Sequence, residues 1–197
     1  KKIYFGNEKE IVYPGPLRSE ILLDSYDVNS KKISTEYSFG EDGLIGDMTF
    51  DIFQNKLLFV DSNKSIFYIK TENNISTLSA ETKKYNDQNP RIFDLKWSPN
   101  GEYFAYMHEI SDSNSPVFNK QLTIRNKKGE KVSEIRSEML KEWALRSYAW
   151  APDSKNLVVG AYTEEENESK EISVIKDLNY NQGYSLDIVS LDGKNIE

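Results

Sequence analysis

The chain contains no cysteine, which excludes disulfide bonds, catalysis by a thiolate and zinc sites built on cysteine. It contains one histidine, so a metal site built on paired histidines is excluded as well. No apolar run approaches the roughly 18 residues that a membrane helix needs. Lysine and arginine never form a run longer than two residues, and the formal net charge is −7. We therefore expect no metal, no cofactor, no transmembrane segment and no nucleic-acid partner.

Aromatic residues are abundant, with twelve tyrosines and nine phenylalanines against three methionines. This composition favours a β-rich protein, because aromatic side chains pack well on pleated surfaces. The sequence begins at Lys1 without a methionine, so we expect an upstream segment to have been removed or left out. We expect an extracytoplasmic bacterial protein, in the cell envelope or secreted, and a cytoplasmic location is the alternative.

One segment of the chain is repeated. "LKWSPNGEYFAYMHE" (Leu95–Glu109) aligns without a gap with "YAWAPDSKNLVVGAY" (Tyr148–Tyr162), so that Trp97 matches Trp150. A weaker copy, "MTFDIFQNKLLFVDS" (Met48–Ser62), has Phe50 in the place of the tryptophan. Each copy predicts a strand A that ends at the aromatic residue, a turn and an apolar strand B.

A second module follows each copy. "QLTIRNKKGEKV" (Gln121–Val132) aligns without a gap with "SLDIVSLDGKNI" (Ser185–Ile196), and Ile66–Ser76 and Ser25–Ser34 are further versions. Alternating apolar residues around a turn with glycine or asparagine predict a hairpin of strands C and D. Four-stranded units at this period are typical of β-propeller blades. The predicted blade motif comprises Phe50, Trp97, Pro99, Asn100, Gly101, Trp150, Pro152 and Asp153.

The run "WSPNGEYFAY" from Trp97 resembles the "W-S-P-D-G-x-x-[IL]-A-[FY]" repeat of TolB-type β-propellers. The copy at Trp150 departs from this pattern, with alanine for serine and serine for glycine. The resemblance implies an all-β propeller of four-stranded antiparallel blades. It says little about function, because the family includes translocation accessory proteins, the propellers of prolyl-oligopeptidase-like peptidases and many binding modules.

We expect about four blades in a single domain over residues 1–197, with bounds near 1–40, 44–80, 91–137 and 145–197. The first unit lacks a strand A with the tryptophan motif, and in the last unit strand D just begins at the final residues. Two interpretations follow. The chain is either a fragment of a larger propeller of six to eight blades, which we favour, or a small propeller closed by pairing of its terminal strands.

Long connections fall on one face of the predicted propeller. They are the B–C connections at 109–120 and 163–183 and the D–A connections at 79–91 and 136–146. Such insertions often mark a binding face, although long polar loops are also tolerated at any surface. The expected ligand-binding residues on this face are Arg91, His108, Trp143, Arg146 and Tyr162. In a short helical turn from Ser137, Trp143 either packs against the propeller as part of a lid or is exposed for binding.

Chemistry for catalysis is sparse in the sequence. Only His108 is available for a Ser-His-Asp triad, and no Gly-x-Ser-x-Gly segment is present. We expect His108 to be a half-exposed residue at the end of strand B. The predicted function is a non-catalytic binding or scaffold module that recognises a protein, peptide or glycan through its long-loop face. The alternative is an enzyme part, either the substrate-gating propeller of a prolyl-oligopeptidase-like peptidase or a glycan-active propeller.

Overall fold

The computed structural model describes residues 2–11, 18–40, 49–61, 66–72, 74–80, 92–110, 119–136, 144–163 and 183–193. In these residues fourteen β-strands form four antiparallel sheets. The chain divides into two compact units, Lys1–Phe93 and Asp94–Glu197. The prediction of an all-β, antiparallel protein is confirmed, and each sheet falls within one repeat unit.

The first unit contains a sheet of order β1-β2-β3 and a sheet of order β4-β5-β6-β7. Their strands are β1 (Lys2–Ile11), β2 (Arg18–Asp27), β3 (Lys32–Gly40), β4 (Thr49–Phe53), β5 (Lys56–Asp61), β6 (Ile66–Lys70) and β7 (Ile75–Ala80). Leu23, Leu57 and Phe59 form a buried core, against which Phe50 and Tyr37 pack. This core lies between the first and second sheets, because it draws residues from β2, β3, β4 and β5.

The second unit contains a sheet of order β11-β10-β9-β8 and a sheet of order β12-β13-β14. Their strands are β8 (Ile92–Trp97), β9 (Tyr103–Ile110), β10 (Asn119–Asn126), β11 (Lys131–Arg136), β12 (Ala144–Trp150), β13 (Asn156–Thr163) and β14 (Gly183–Ser190). No helix among the described residues is long and apolar enough to cross a membrane.

The prediction of four strands in every unit needs correction. The second and third sheets have four strands, whereas the first and fourth sheets have three in the described part of the chain. The first repeat unit, near residues 1–40, lacks the motif from which strand A was predicted. The residues that would begin a fourth strand after Gly193 lie outside the described residues.

The two copies of the A–B turn have the same backbone geometry. The Gly101 amide donates to the Ser98 carbonyl at 2.9 Å, and the Ser154 amide donates to the Ala151 carbonyl at 3.0 Å. Gly101 and Ser154 both adopt a positive φ, 68° and 58° respectively. Glycine adopts this region freely, whereas a residue with a Cβ adopts it at a cost of roughly 1–2 kcal/mol. The alignment of Trp97 with Trp150 therefore matches equivalent turns.

The C–D turns repeat in the same way. Gly129 and Gly193 have φ of 86° and 79°, and each donates its amide to the carbonyl three residues earlier, at 2.8 and 2.9 Å. The backbone amides of Lys127 and Leu191 bind the A–B turns of their own sheets, at 2.8 and 3.0 Å. These equivalent hydrogen bonds agree with the alignment of the second module, which matches Gly129 with Gly193.

The fourth sheet packs on the third through β12. The Tyr148 hydroxyl lies 2.5 Å from the Asp94 carbonyl oxygen and 2.7 Å from that of Ala105. The Trp150 indole donates to the Lys96 carbonyl at 3.3 Å. The two aromatic residues at the end of strand A thus hydrogen-bond the backbone of the preceding sheet.

The predicted blade-motif residues occupy core and turn positions. Trp97 is buried and meets Phe104 edge-on, with ring centroids 5.7 Å apart. Trp150 and Phe50 are half-buried. The remaining motif residues lie in turns, where Gly101 is buried and the others, Pro99, Asn100, Pro152 and Asp153, are exposed.

Candidate functional site

A row of polar side chains lies on one face of the third sheet. In the register of β9 and β10, His108 faces Gln121, and Tyr106 faces Thr123. Residues that face each other across an antiparallel ladder project to the same side of the sheet, and so do residues two apart on one strand. We call His108, Tyr106, Gln121, Thr123 and Arg125 the polar row. Sequence reasoning singled out only His108 among them.

Hydrogen bonds join the polar row into two groups, and a contact between two rings connects these groups. The His108 Nε2 lies 3.3 Å from the Thr123 Oγ1, to which the Gln121 amide donates at 3.4 Å. The Arg125 Nε donates to the Tyr106 hydroxyl at 3.0 Å, and its Nη1 donates to the Gly129 carbonyl at 2.7 Å. The Tyr106 and His108 rings lie 5.8 Å apart between centroids. The row is therefore one connected group rather than five separate side chains.

The polar row is buried, although burying polar groups is costly unless they are hydrogen-bonded. His108 and Gln121 are 2% exposed, and Arg125 is 6% exposed. Within the described part of the chain, the Gln121 Oε1 is buried and has no hydrogen-bond partner. The expectation of a half-exposed His108 is wrong, because the residue is 2% exposed.

The repeat does not itself require a histidine at this position. Ala161 stands at the equivalent place on β13, and it faces Ser185 as His108 faces Gln121. On β5 the equivalent residue is Asp61, which faces Ile66. A buried apolar residue fills the position in the fourth sheet, so the histidine is a specific feature of the third sheet.

Asp61 belongs to a separate polar group in the first unit. It is fully buried, and the Tyr37 hydroxyl donates to its Oδ2 at 3.1 Å. Burial raises the pKa of the Tyr37 phenol well above its usual range, and hydrogen bonds to Tyr68 and Asp61 raise it further. The Tyr37 ring also contacts the rings of Phe59 and Tyr68. This phenol stays neutral and acts as a hydrogen-bond donor at any ordinary pH.

A buried carboxylate links the two sheets of the first unit. Glu36 on β3 binds Lys2 on β1 at 2.7 Å and Lys70 on β6 at 3.0 Å, and it accepts a hydrogen bond from the Ser25 hydroxyl. Burial by itself would raise the pKa of Glu36. The hydrogen bonds from Lys2, Ser25 and Lys70 have the larger combined effect, so the pKa of Glu36 is lowered to about 2. Because its lone pairs are occupied by three donors, Glu36 has a structural role.

The structure does not bring the predicted ligand-binding residues together. Arg91 and Trp143 lie outside the described residues, and so does most of every long connection on the predicted binding face. Arg146 is exposed on β12, beside a register shift between Leu145 and Ser147. Tyr162 lies on β13 opposite Ala144. The binding face and the lid at Trp143 therefore stay predictions.

No family model and no curated protein matches the chain. Two solved structures similar to it are named "putative 6-phosphogluconolactonase". The one from Bacteroides fragilis has a TM-score of 0.41 and 9% identity, over 100% of this chain and 58% of the other. The one from Bacteroides uniformis has a TM-score of 0.36 and 11% identity, over 90% of this chain and 63% of the other. The chain thus spans less than two thirds of either protein.

The prediction of a non-catalytic binding or scaffold module is wrong on this comparison. Both similar structures are named as enzymes. Sequence reasoning had kept an enzyme part only as the alternative, because there is a single histidine and no Gly-x-Ser-x-Gly segment. That reasoning covered nucleophilic triads, paired-histidine metal sites and paired carboxylates, and it did not consider an imidazole that acts alone as acid and base.

Proposed function

We propose that the four sheets are blades of a β-propeller, of the kind that the resemblance to TolB-type repeats implies. Two observations support this architecture. The A–B and C–D turns of the third and fourth sheets have equivalent hydrogen bonds at aligned positions of the repeat. The fourth sheet also packs face to face on the third through Tyr148 and Trp150. Successive face-to-face packing of repeated sheets is how propeller blades associate.

We propose that the chain is part of a hydrolytic enzyme and that His108 is its acid–base residue. The observation that carries this proposal is the hydrogen bond between His108 and Thr123 within a buried polar row. The repeat fills the same position with Ala161, so the fold can do without the imidazole. Polar groups that break a local packing rule are concentrated at functional sites.

The reaction class follows from what one imidazole can do. Hydrolysis of a small carboxylic ester or lactone requires one proton to be accepted and one to be given. Neutral His108 would accept a proton from the water that attacks the carbonyl carbon. As the bond between that carbon and the ring or ester oxygen breaks, the imidazolium would give the proton to the leaving oxygen. The products are a carboxylic acid and an alcohol, joined in one hydroxy acid when the substrate is a lactone.

The neighbours of His108 have supporting roles in this proposal. The Thr123 hydroxyl holds the imidazole in one orientation, because it lies within hydrogen-bond distance of Nε2. The Gln121 Oε1 would accept a hydrogen bond from a substrate hydroxyl, since it is buried and has no partner among the described residues. The pair of Tyr106 and Arg125 closes the other end of the row through its own hydrogen bond.

An assay with p-nitrophenyl acetate and δ-valerolactone tests the proposal. We expect the wild-type chain to hydrolyse at least one of them, and His108→Ala and His108→Gln to lower kcat/KM by roughly 10²–10⁴-fold. His108→Ala introduces the residue that the repeat has at position 161, so the fold should tolerate it. Glu102→Gln, at an exposed residue in the A–B turn of the same sheet, is the control and should keep full activity. Absence of hydrolysis by the wild type, or full activity in both His108 variants, would refute the proposal.

A further inference from the structure

The A–B turn of the third sheet contains Asn100 followed by Gly101, which is the one Asn-Gly pair in the chain. In such a pair the backbone nitrogen of the second residue can attack the side-chain amide of the first. Glycine has no Cβ to hinder this approach, and its backbone rotates more freely than that of any other residue. Asn100 is exposed in the turn, so water reaches its side chain.

Hydrogen bonds hold both reacting groups of this pair in the folded turn. The Gly101 amide, which carries the attacking nitrogen, donates to the Ser98 carbonyl at 2.9 Å. The Asn100 Oδ1 accepts from the Ser98 hydroxyl at 2.8 Å and from the Glu102 amide at 3.0 Å. Ring closure requires the Asn100 side chain and the Gly101 nitrogen to rotate toward each other. These three hydrogen bonds oppose that rotation, so the closed turn slows the reaction.

The fourth sheet contributes a further restraint on this turn. The Asn100 amide donates to the Ser154 Oγ at 3.0 Å, and Ser154 is 2% exposed in the equivalent turn of the fourth sheet. This bond fixes the backbone on the N-terminal side of Asn100. The turn therefore opens fully only when its contact with the fourth sheet is broken.

The next repeat shows that this turn accepts a carboxylate in the place of the amide. Asp153 aligns with Asn100, and its Oδ1 accepts from the backbone amides of Lys155 and Asn156 at 2.8 and 3.2 Å. The hydrogen bond from the Lys155 amide lowers the pKa of Asp153, so the turn favours the charged form. The Glu102 amide aligns with that of Lys155 and binds the Asn100 Oδ1 in the same way. An aspartate at position 100 would keep this hydrogen bond.

We propose that Asn100 is a deamidation site, at which the closed A–B turn and its contact with Ser154 control the rate. When the turn opens, the Gly101 nitrogen loses its proton and forms a bond with the Asn100 Cγ. The bond between Cγ and Nδ2 breaks, and ammonia leaves with that proton, so that a cyclic succinimide remains. Water then opens the ring at one of its two carbonyl carbons. The product is aspartate for one opening and isoaspartate for the other.

The two products differ in their effect on the turn. Aspartate keeps the normal main chain and adds one negative charge, as Asp153 does in the next repeat. Isoaspartate lengthens the main chain before Gly101 by one carbon, which displaces the Gly101 amide from the Ser98 carbonyl. Isoaspartate formation would therefore disrupt the contact between the two turns. This modification does not depend on the proposed catalytic role of His108.

Mass spectrometry of the folded and the unfolded chain tests the proposal. The chain is incubated in a mildly alkaline buffer with and without guanidinium chloride, and the proteolytic peptide that contains residue 100 is monitored for a gain of one mass unit. We expect Asn100 to deamidate in the unfolded chain, and roughly tenfold or more slowly in the folded chain, because the turn must first open. Equal rates in the two conditions would overturn the proposal, and so would the absence of reaction in the unfolded chain.

Two variants separate opening of this turn from a general loss of stability. Ser154→Ala removes the acceptor of the Asn100 amide, and we expect deamidation in the folded chain to become roughly fivefold faster. Glu36→Gln is the control, because it removes a carboxylate that pairs with Lys70 in the first unit, and it should leave the rate unchanged. An unchanged rate in Ser154→Ala would overturn the proposed control by Ser154. Equal acceleration in both variants would also overturn it, because the reaction would then require unfolding of the whole chain.

Discussion

The backbone amide of Asn100 donates a hydrogen bond to the side-chain hydroxyl of Ser154 at 3.0 Å. This bond joins the A–B turn of the third sheet to the equivalent turn of the fourth. Ser154 is 2% exposed and adopts a φ of 58°, where its counterpart in the earlier repeat is Gly101. Ser154 thus adopts a backbone conformation that glycine adopts more easily. Its hydroxyl accepts the hydrogen bond that links the two turns.

Substitutions at Ser154 separate these two effects. Ser154→Ala removes the acceptor and keeps the unfavourable φ, so we expect it to lower the free energy of unfolding by about 1 kcal/mol. Ser154→Gly removes the acceptor but relieves the φ, so it should be close to neutral and more stable than the alanine variant by about 1 kcal/mol. Urea denaturation measures both. Equal stabilities of the two Ser154 variants would contradict the account. Gly101→Ala introduces a Cβ at a φ of 68°, and it should be destabilising for the same reason.

Glu36 should contribute to stability in a pH-dependent way. Its pKa is lowered from 4.5 to about 2 in the folded chain. A lowered folded-state pKa contributes stability that is present above pH 4.5 and is lost as the pH falls toward 2. We expect Glu36→Gln to cost roughly 2 kcal/mol at neutral pH and less at pH 2.5.

Urea denaturation at several pH values between 2.5 and 7 checks this expectation. Glu102→Gln is the control, because Glu102 is 51% exposed and pairs with Lys127 at the surface, so its replacement should change stability little at any of these pH values. A difference between Glu36→Gln and the wild type that stays constant across this pH range would show that the carboxylate charge is not what stabilises the fold.

Arg125 and Tyr106 should be energetically coupled. Arg125 is 6% exposed and donates to the Tyr106 hydroxyl, so Tyr106→Phe leaves a buried guanidinium donor without this acceptor. We expect a cost of roughly 1–3 kcal/mol for Tyr106→Phe. In a double-mutant cycle with Arg125→Met, the two effects should be non-additive by about 1 kcal/mol or more. Strict additivity in urea denaturation would show that this bond contributes nothing to stability.

Tyr148 should contribute to the packing of the fourth sheet on the third. Tyr148→Phe removes the hydroxyl between the carbonyl oxygens of Asp94 and Ala105, and we expect a loss of about 1–2 kcal/mol. Tyr103→Phe is the control, since Tyr103 stacks on Trp150 and its hydroxyl has no hydrogen bond within the described residues. Thermal unfolding should show a lower Tm for Tyr148→Phe and little change for Tyr103→Phe. An equal Tm for both variants would argue against this contact.

The repeated turns could be predicted from the sequence because their requirements are local. A proline followed by asparagine or aspartate, and then by a residue at positive φ, specifies the turn that Gly101 and Ser154 complete. The hairpins around Gly129 and Gly193 follow the same logic. Alternating apolar residues then fix which side of each strand faces a neighbouring sheet.

The polar row and the Glu36 group could not be predicted in the same way, because their partners come from other strands. Glu36 and Lys70 are far apart in the sequence, and neither has a distinctive sequence context. His108 lies at the end of strand B beside the predicted long-loop face, which suggested partial exposure. One signal was present in the repeat itself. The alternation of Gln121 and Thr123 with the apolar Leu122 and Ile124 predicts a polar face on this strand.

Direct observation of the one histidine tests the central claim that His108 is the acid–base residue of a hydrolytic site. With ¹³C-labelled histidine, the chain gives a single imidazole Cε1–H signal in an NMR spectrum. We predict that δ-valerolactam, a non-hydrolysable analogue of the lactone substrate, shifts this signal in a saturable way. We also predict that its binding weakens in Gln121→Ala, in which the buried Oε1 is removed. A histidine signal that does not change up to concentrations at which the lactam inhibits hydrolysis would contradict the account.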